Sequence, residues 1–265
     1  MATGRIRSKD YRCYVNGYDL SGYSRTIGPL ETTYDEADLT ANMGDAVKGY
    51  LPNMAHVNVG TLNAVFDNTA TVGLHALMAT AGVAKTVLVP IGIRAAPVQG
   101  DPCFGGVFLD KAYQIADSGG AVTATIPFSG WAADNFTALT GMTDLAWGQL
   151  LHENVARTSV TGVNISDGFD NPTGGATTKG GYFIYQVLAS SGAGHTATLS
   201  VDDGTSAADA DMDPLAGAEY AGVVTAGVHG IVPAATLTIR QFLRFQIAFG
   251  TATSVTWVCA FMRKY

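Results

Sequence analysis

The sequence predicts a mainly β protein: an N-terminal tail-tube-like β-barrel or sandwich unit with one flanking α-helix, then a C-terminal antiparallel β-sandwich. Short apolar or alternating runs recur along all 265 residues, with turns rich in Gly, Asp and Pro between them. Only one stretch, around residue 75, has the periodicity of an amphipathic helix. From residue 155 onward the runs are short and regularly spaced without a helical pattern, which is typical of a β-sandwich.

The first unit is organised around residues 45–67. Gly49 and Pro52 exclude a helix or a central strand from its first half, because glycine loosens the backbone and proline lacks a donor. The second half alternates as a strand, and its apolar residues change sides around Gly60. We therefore predict an extended loop that leads into a long strand, with a bulge or sharp twist at Gly60.

The remaining elements of this unit follow from periodicity and turn residues. An apolar stripe predicts a helix over residues 68–82, with Asn68 or Thr69 as its cap and Gly82 as its stop. Strands are predicted over 85–93, 105–116 and 121–128, after a first strand near residue 13 that ends in the turn Asn16-Gly17.

The second unit contains six predicted strands: 160–165, 182–189, 197–202, 221–225, 235–248 and 254–262. The last of them is apolar on both faces, so we expect it to lie in the centre of a sheet. Taken together, the runs divide the chain into a first domain over 1–135, a connection over 136–154 and a β-sandwich over 155–265.

The composition indicates a subunit that associates with copies of itself. Apolar residues make up 47% of the chain, whereas charged residues make up only 14%, well below the usual quarter. Depletion of charge is typical of surfaces buried between subunits. The net charge of −7 argues against binding of nucleic acid through its phosphates.

Other features bear on location. The three cysteines are widely spaced, which predicts reduced, unpaired thiols. The first nine residues are basic and polar, unlike a signal peptide, and no apolar run approaches the length of a membrane helix. We expect a soluble protein made in a cytosol.

No motif for catalysis or for a cofactor is recognisable. The glycines of 174–181 lack the spacing of a phosphate loop, and the five histidines are not at ligand spacing. The run Asp209-x-Asp211-x-Asp213 resembles the start of a calcium loop, but Pro214 and Tyr220 occupy its glycine and closing glutamate positions. We expect no enzymatic activity, no metal and no cofactor.

Tyrosines in the early turns and the acidic stretch 31–45 are the candidates for a self-assembly interface. Tyrosines are rigid interface anchors. The acidic stretch is predicted to be a solvated loop. In a multimer it would contact a neighbouring subunit or face a central channel. The candidate residues are Tyr14, Tyr18, Tyr23, Glu31, Asp35, Glu36, Asp38 and Tyr50.

Two segments together resemble a known family. They read Tyr14-Val-Asn-Gly-Tyr-Asp-Leu-Ser-Gly-Tyr23 and Gly44-Asp-Ala-Val-Lys-Gly-Tyr-Leu-Pro-Asn53, and the second continues as a strand to Asp67. This pattern resembles the major tail (tail tube) proteins of long-tailed bacteriophages, over about residues 10–130. Asn53 stands where the family usually has glycine. The second half is similar to the sandwich that follows this module in some phage structural proteins.

The resemblance implies a β-barrel with a flanking helix that forms rings, usually six-fold, which stack into a hollow tail. It implies a virion protein made in the host cytoplasm, whose partners are itself and other tail or head proteins, without a membrane. DNA would pass through during ejection without specific binding.

Two alternatives stay open. A capsid decoration protein or another virion protein could use the same modules. A carbohydrate-binding protein is suggested by the sandwich and by its aromatic residues Tyr182, Phe183, Tyr185 and Trp257. Those aromatics lie in mid-strand, which favours core packing.

Overall fold

A computed structural model of the chain describes residues 10–38, 50–93, 95–117, 119–131, 147–158, 163–165, 169–170, 176–178, 180–234, 236 and 238–263. The described part is mainly β-structure, which confirms the predicted fold class. It contains one short α-helix, α1 (Leu74–Met78).

The strands of the first half are β1 (Tyr14–Val15), β2 (Tyr18–Asp19), β3 (Ser24–Gly28), β4 (Glu31–Asp38), β5 (Tyr50–Asn58), β6 (Thr61–Val65), β7 (Ala84–Pro90), β8 (Pro102–Asp110), β9 (Gln114–Asp117) and β10 (Val122–Trp131). Those of the second half are β11 (Trp147–Thr158), β12 (Val163–Ile165), β13 (Phe169–Asp170), β14 (Gly181–Gly192), β15 (Thr196–Gly204), β16 (Met212–Val223), β17 (His229–Pro233), β18 (Phe242–Phe249) and β19 (Ala252–Arg263).

One twelve-stranded sheet runs through both halves of the chain. Its main path is β17-β14-β19-β11-β8-β10-β6-β3, with β7, β1 and β2 continuing from β8 and with β9 on β10. β11 joins the halves because it pairs with β8 on one side and with β19 on the other. The boundary predicted between the two domains therefore lies within one hydrogen-bonded sheet.

A second sheet of five strands covers part of the first. It has the order β12-β18-β15-β16, with β13 also on β18. Between the two sheets lies the sandwich core, which includes Leu199, Val201 and Phe245 of the small sheet and Phe183 and Trp257 of the large one. This arrangement accounts for the strand pattern of the second half.

Two further cores occupy the large sheet. The first core packs β6 and β10 against β7, β8 and α1, and it includes Leu62, Leu74, Val87 and Phe104. The central core lies between strands of both halves, with Leu88 and Cys103 from the first and Tyr182 and Val258 from the second. The halves thus share buried apolar surface as well as hydrogen bonds.

Two predictions about particular strands are confirmed. Gly60 has a φ of +71° at the position of the predicted bulge or sharp twist, although the single long strand predicted through it is two strands, β5 and β6, of different sheets. β19 lies between β14 and β11, and its two faces contribute to different cores, Trp257 to the sandwich core and Val258 to the central core. This is the central strand that its two apolar faces predict.

Three predictions are wrong in detail. The helix predicted over 68–82 covers only Leu74–Met78, because Thr71 has a φ of +69° and cannot belong to an α-helix. Within the acidic stretch, Glu31–Asp38 forms β4 rather than a loop, and 39–45 lies outside the described residues. Residues 147–154, predicted as connection, belong to β11.

Candidate functional site

The clearest candidate for a functional surface is a four-stranded antiparallel part of the large sheet, in the order β9-β10-β6-β3. Its strands alternate between two faces. The core face carries buried side chains, among them Leu62, Ala64, Ala124 and Ile126, which pack in the first core. The opposite face, called the free face below, carries the intervening residues.

None of the residues that strand pairing places on the free face is charged. Its members are Thr26, Gly28, Thr61, Asn63, Val65, Gln114, Ala116, Thr123, Thr125 and Pro127. Asn63 links three strands, since its Nδ2 donates to Thr26 Oγ1 at 3.0 Å and its Oδ1 accepts from Thr125 Oγ1 at 3.2 Å. The result is a neutral surface on which hydroxyl and amide groups lie among small apolar side chains.

Both edges of this four-stranded sheet are open within the described part of the chain. β3 pairs there with β6, and β9 pairs there with β10, so each has one side of its backbone unpaired. Arg25 is exposed on β3, in a bulge between Ser24 and Thr26. All four residues of β9 are exposed, including Ile115 at 48%. Open edges are sites where another chain can add a strand.

The hairpin of β4 and β5 forms a separate two-stranded sheet. Its base is held to the body, because Val57 and Val59 are buried in the first core. Asn58 Nδ2 donates to Glu31 Oε1 at 3.2 Å and ties the two strands together. A two-stranded hairpin alone is marginally stable in water, so contacts beyond itself would stabilise it.

The predicted interface residues lie in different surroundings. Tyr14 is 2% exposed within the central core, and the Tyr18 ring lies against Gly227. Tyr23 packs at the margin of the first core. Asp35, Glu36 and Asp38 lie on β4, Tyr50 begins β5, and their side chains are outside the described part. Tyr14 therefore serves its own core, and the interface role of the others stays a prediction.

The turn Asn16-Gly17, within the segment 14–23 that resembles tail proteins, is hydrogen-bonded to the second half of the chain. Gln186 on β14 is fully buried, and its Oε1 accepts a hydrogen bond from Gly17 N at 2.9 Å. Its Nε2 donates to Tyr14 O and Thr86 O, each at 3.2 Å. Our sequence analysis missed this junction, although a lone amide within the apolar run 182–188 is a signal for it.

A second buried polar group lies in the sandwich core. His152 is fully buried, with Nδ1 3.0 Å from Trp257 O, and its Nε2 accepts from Arg157 Nε at 3.0 Å. The ring packs edge-on against Phe245, with the centroids 4.4 Å apart. Burial, together with nearby Arg157 and against the hydrogen bond to Trp257 O, lowers the pKa of His152 to about 3. This histidine is held neutral, and both of its nitrogens have partners.

Carboxylates of the second half are engaged by arginines. Arg244 Nε donates to Asp202 Oδ2 at 2.8 Å in the interior, and Arg240 bridges Asp203 and Asp213 at 2.9 and 3.0 Å. Asp213, from the run that resembles the start of a calcium loop, is therefore part of an ion pair. In the part of the chain that the structure describes, no three His, Cys, Asp or Glu side chains are grouped as metal ligands.

The remaining candidates are buried. Tyr182, Phe183, Tyr185 and Trp257 are at most 4% exposed, so they form no row for stacking a sugar. Cys13, Cys103 and Cys259 are unpaired, as predicted, and burial raises the pKa of each thiol. None of the described helices is long and apolar enough to cross a membrane.

Comparison with known proteins gives weak similarities. No family model and no curated protein matches the chain. It aligns with the Dit protein of phage SPP1, described as a hub adsorption apparatus in phages that infect Gram-positive hosts, with a TM-score of 0.34 and 12% identity over 96% of this chain and 99% of that chain. It also aligns with an infectious bursal disease virus protein of the Gx strain, with a TM-score of 0.25 and 12% identity over 96% and 56%. TM-scores this low do not establish a shared fold.

Proposed function

We propose that this chain is a structural protein of a phage virion, a tail tube subunit that associates with copies of itself into stacked rings. DNA passes through the rings without being bound. The resemblance of about residues 10–130 to major tail proteins suggested this function, and the features of the folded chain described below support it.

The observation that carries the proposal is the four-stranded sheet with two open edges. A subunit whose two sides differ and can join each other associates head to tail, and such contacts generate rings when the rotation closes. An exposed sheet edge with unpaired backbone groups is a site where another chain can pair. Closure in a ring removes both edges at once, as it does in a β-barrel.

The charge distribution agrees with a conduit for a polyanion. The net charge is −7, and none of the residues that strand pairing places on the free face of the four-stranded sheet is charged. A wall without cations releases no counterions from DNA and so gains no affinity for its phosphates. Such a surface allows a duplex to move past it.

The hairpin of β4 and β5 supports the same conclusion. It forms a separate two-stranded sheet and carries the acidic residues of the stretch 31–38. We expect it to contact a neighbouring subunit in the ring or in the next ring of a stack. This contact would stabilise the hairpin, because a two-stranded hairpin alone is only marginally stable in water.

Sedimentation velocity over a range of concentrations tests this function. A tube subunit gives a monomer in equilibrium with a closed ring, followed by longer species as rings stack. A decoration protein instead gives small symmetric clusters that do not grow. A single monomeric species at the highest concentration contradicts self-assembly.

A further inference from the structure

We infer that the turn Asn16-Gly17 is a deamidation site, which the second half of the chain keeps closed through Gln186. Such a covalent modification is independent of self-assembly. The sequence of the turn, the hydrogen bonds of its atoms and the packing around it lead to this assignment.

Asparagine followed by glycine is the pair in which deamidation is least hindered. Glycine has no side chain to shield its backbone nitrogen from the carboxamide of the preceding residue. Asn16-Gly17 is the only such pair in the 265 residues. It forms the two-residue turn between β1 and β2, and both residues take positive φ values, +50° and +80°. The geometry of the hairpin therefore favours a pair that is chemically labile.

Deamidation begins when the Gly17 nitrogen loses its proton and attacks Cγ of Asn16. The new N–Cγ bond closes a five-membered imide, and the Cγ–Nδ2 bond breaks so that ammonia leaves with that proton. Water then opens the imide. Attack of water at Cγ gives aspartate, whereas attack at the backbone carbonyl carbon of Asn16 gives isoaspartate, which adds a methylene group to the main chain. The reaction therefore needs a Gly17 N–H group that base can reach.

The Gly17 N–H group is not free in the folded chain. It donates to Oε1 of Gln186 at 2.9 Å in the interior. Gln186 is itself fully buried, and its Nε2 donates to Tyr14 O and Thr86 O. A proton in a buried hydrogen bond reaches solvent base only after the structure opens locally.

The carboxamide of Asn16 is held by the first half of the chain. Its Oδ1 accepts from Thr86 N at 2.8 Å, and Asn16 N donates to Thr86 O at 2.9 Å. The hydrogen bond to Oδ1 polarises the carboxamide carbonyl toward attack. The nucleophile is therefore the group that must be withheld, and Gln186 withholds it.

The second half also closes the space around the turn. Gly17 is buried, and a Cβ there would lie only 2.6 Å from Gly227 Cα. Gly227 N donates in turn to Val187 O, beside Gln186, at 3.0 Å. Solvent reaches the Gly17 nitrogen when these residues move away from the turn. Deamidation of Asn16 therefore reports the separation of the two halves at this junction.

The conformation of the turn offers a different explanation for a slow reaction. Left-handed φ values alone would keep the Gly17 nitrogen away from Asn16 Cγ without help from the second half. Loss of Gln186 would then leave the rate of deamidation unchanged. The two explanations differ in the result of the following experiment.

Incubation of the full chain at mildly alkaline pH, followed by peptide mapping, tests the site. The tryptic peptide 13–25 contains Asn16, and its mass and retention time distinguish asparagine, aspartate and isoaspartate. Q186L cannot accept from Gly17 N, so it should deamidate at Asn16 about tenfold faster than the parent. The parent unfolded in urea gives the unprotected rate.

The matched control is G60A, which disturbs the chain away from the turn, because a Cβ at Gly60 would collide with the carbonyl carbon of Gly28. It should deamidate within about twofold of the parent. Q186L that reacts no faster than the parent overturns the inference. So does G60A that reacts as fast as Q186L, because protection would then come from overall stability.

Hydrogen exchange of the parent provides a readout that depends on no variant. The Gly17 amide should exchange slowly, since its hydrogen bond to Gln186 is buried. Rapid exchange of this amide under native conditions would show that its proton is free, and it would overturn the inference even if Q186L fails to fold.

Discussion

Single buried polar residues decide how the segments of this chain meet. Gln186 joins the Asn16-Gly17 turn to β7 and β14 through its three hydrogen bonds. His152 fills the sandwich core as a neutral ring with both nitrogens bonded. A buried polar group contributes modestly to stability when all its hydrogen bonds are formed. Its removal takes a hydrogen-bond partner away from other buried groups, which costs more. Each therefore makes a stability prediction.

Replacing Gln186 with leucine should lower the free energy of unfolding by about 3 kcal/mol, because one backbone N–H and two carbonyl groups lose a buried partner. Chemical denaturation of dilute, unassembled protein measures the change. Q114A removes an exposed glutamine and should stay within about 0.5 kcal/mol of the parent. Equal stability of the Gln186 and Gln114 variants would show that the junction does not hold the halves together.

The stability of the protein should fall with acid because of His152. Its pKa in the folded chain is about 3, below the unperturbed value near 6.5. As the pH falls, the unfolded state therefore binds a proton at this histidine before the folded state does. The contribution of the neutral ring is fully present above pH 6.5 and is lost as pH falls toward 3, on the order of 4 kcal/mol in all.

Denaturation at pH 7, 6 and 5 measures this slope before most carboxylates titrate. H152Q should be less stable than the parent at pH 7 and should lose less stability between pH 7 and pH 5. A parent and a variant with the same slope would mean that His152 does not stay neutral in the folded chain.

At the level of elements, glycine sets the geometry where the hairpin meets the sheet. Gly60 has a positive φ, and a Cβ there would collide with the carbonyl group of Gly28. G60A should therefore destabilise the protein by more than about 2 kcal/mol. G22A is the matched control, because a Cβ at Gly22 meets no atom within 4 Å. Thermal melts of both variants check this, and a G60A protein as stable as G22A would refute it.

Strands can be assigned from the sequence where the pattern of apolar and polar residues alone shows which side chains are buried. β19 is apolar on both faces, and Gly60 marks a change of side, so both features were predictable from local residues. β4 was not, since its acidic, non-alternating residues form a strand through pairing with β5. The helix was overestimated because Thr71 takes a φ of +69°, a local conformation that the apolar periodicity of the sequence does not reveal.

The candidate surface was only partly predictable. The low charge and the turn tyrosines indicated assembly, but the open edges depend on which strands pair across the fold. β9 and β3 become the two outer strands only because β10 and β6 pair between them. Long-range pairing of this kind cannot be read from spacing.

At the level of the whole molecule, the second half is bound to the first through a continuous sheet and the central core. Truncation after Asp144 would uncover Leu88 and Cys103, and it would remove the Gln186 contacts to the first half. We expect the truncated chain to be insoluble or unfolded by circular dichroism. A soluble, folded fragment that still polymerises would show instead that the second half is a separable domain on the outside of the tube.

Electron microscopy of the purified full chain at high concentration tests the central claim most directly. This account predicts hollow rings, or tubes of stacked rings, whose inner wall is formed by one continuous antiparallel sheet. Compact monomers, or two-fold dimers without a central hole, would contradict it.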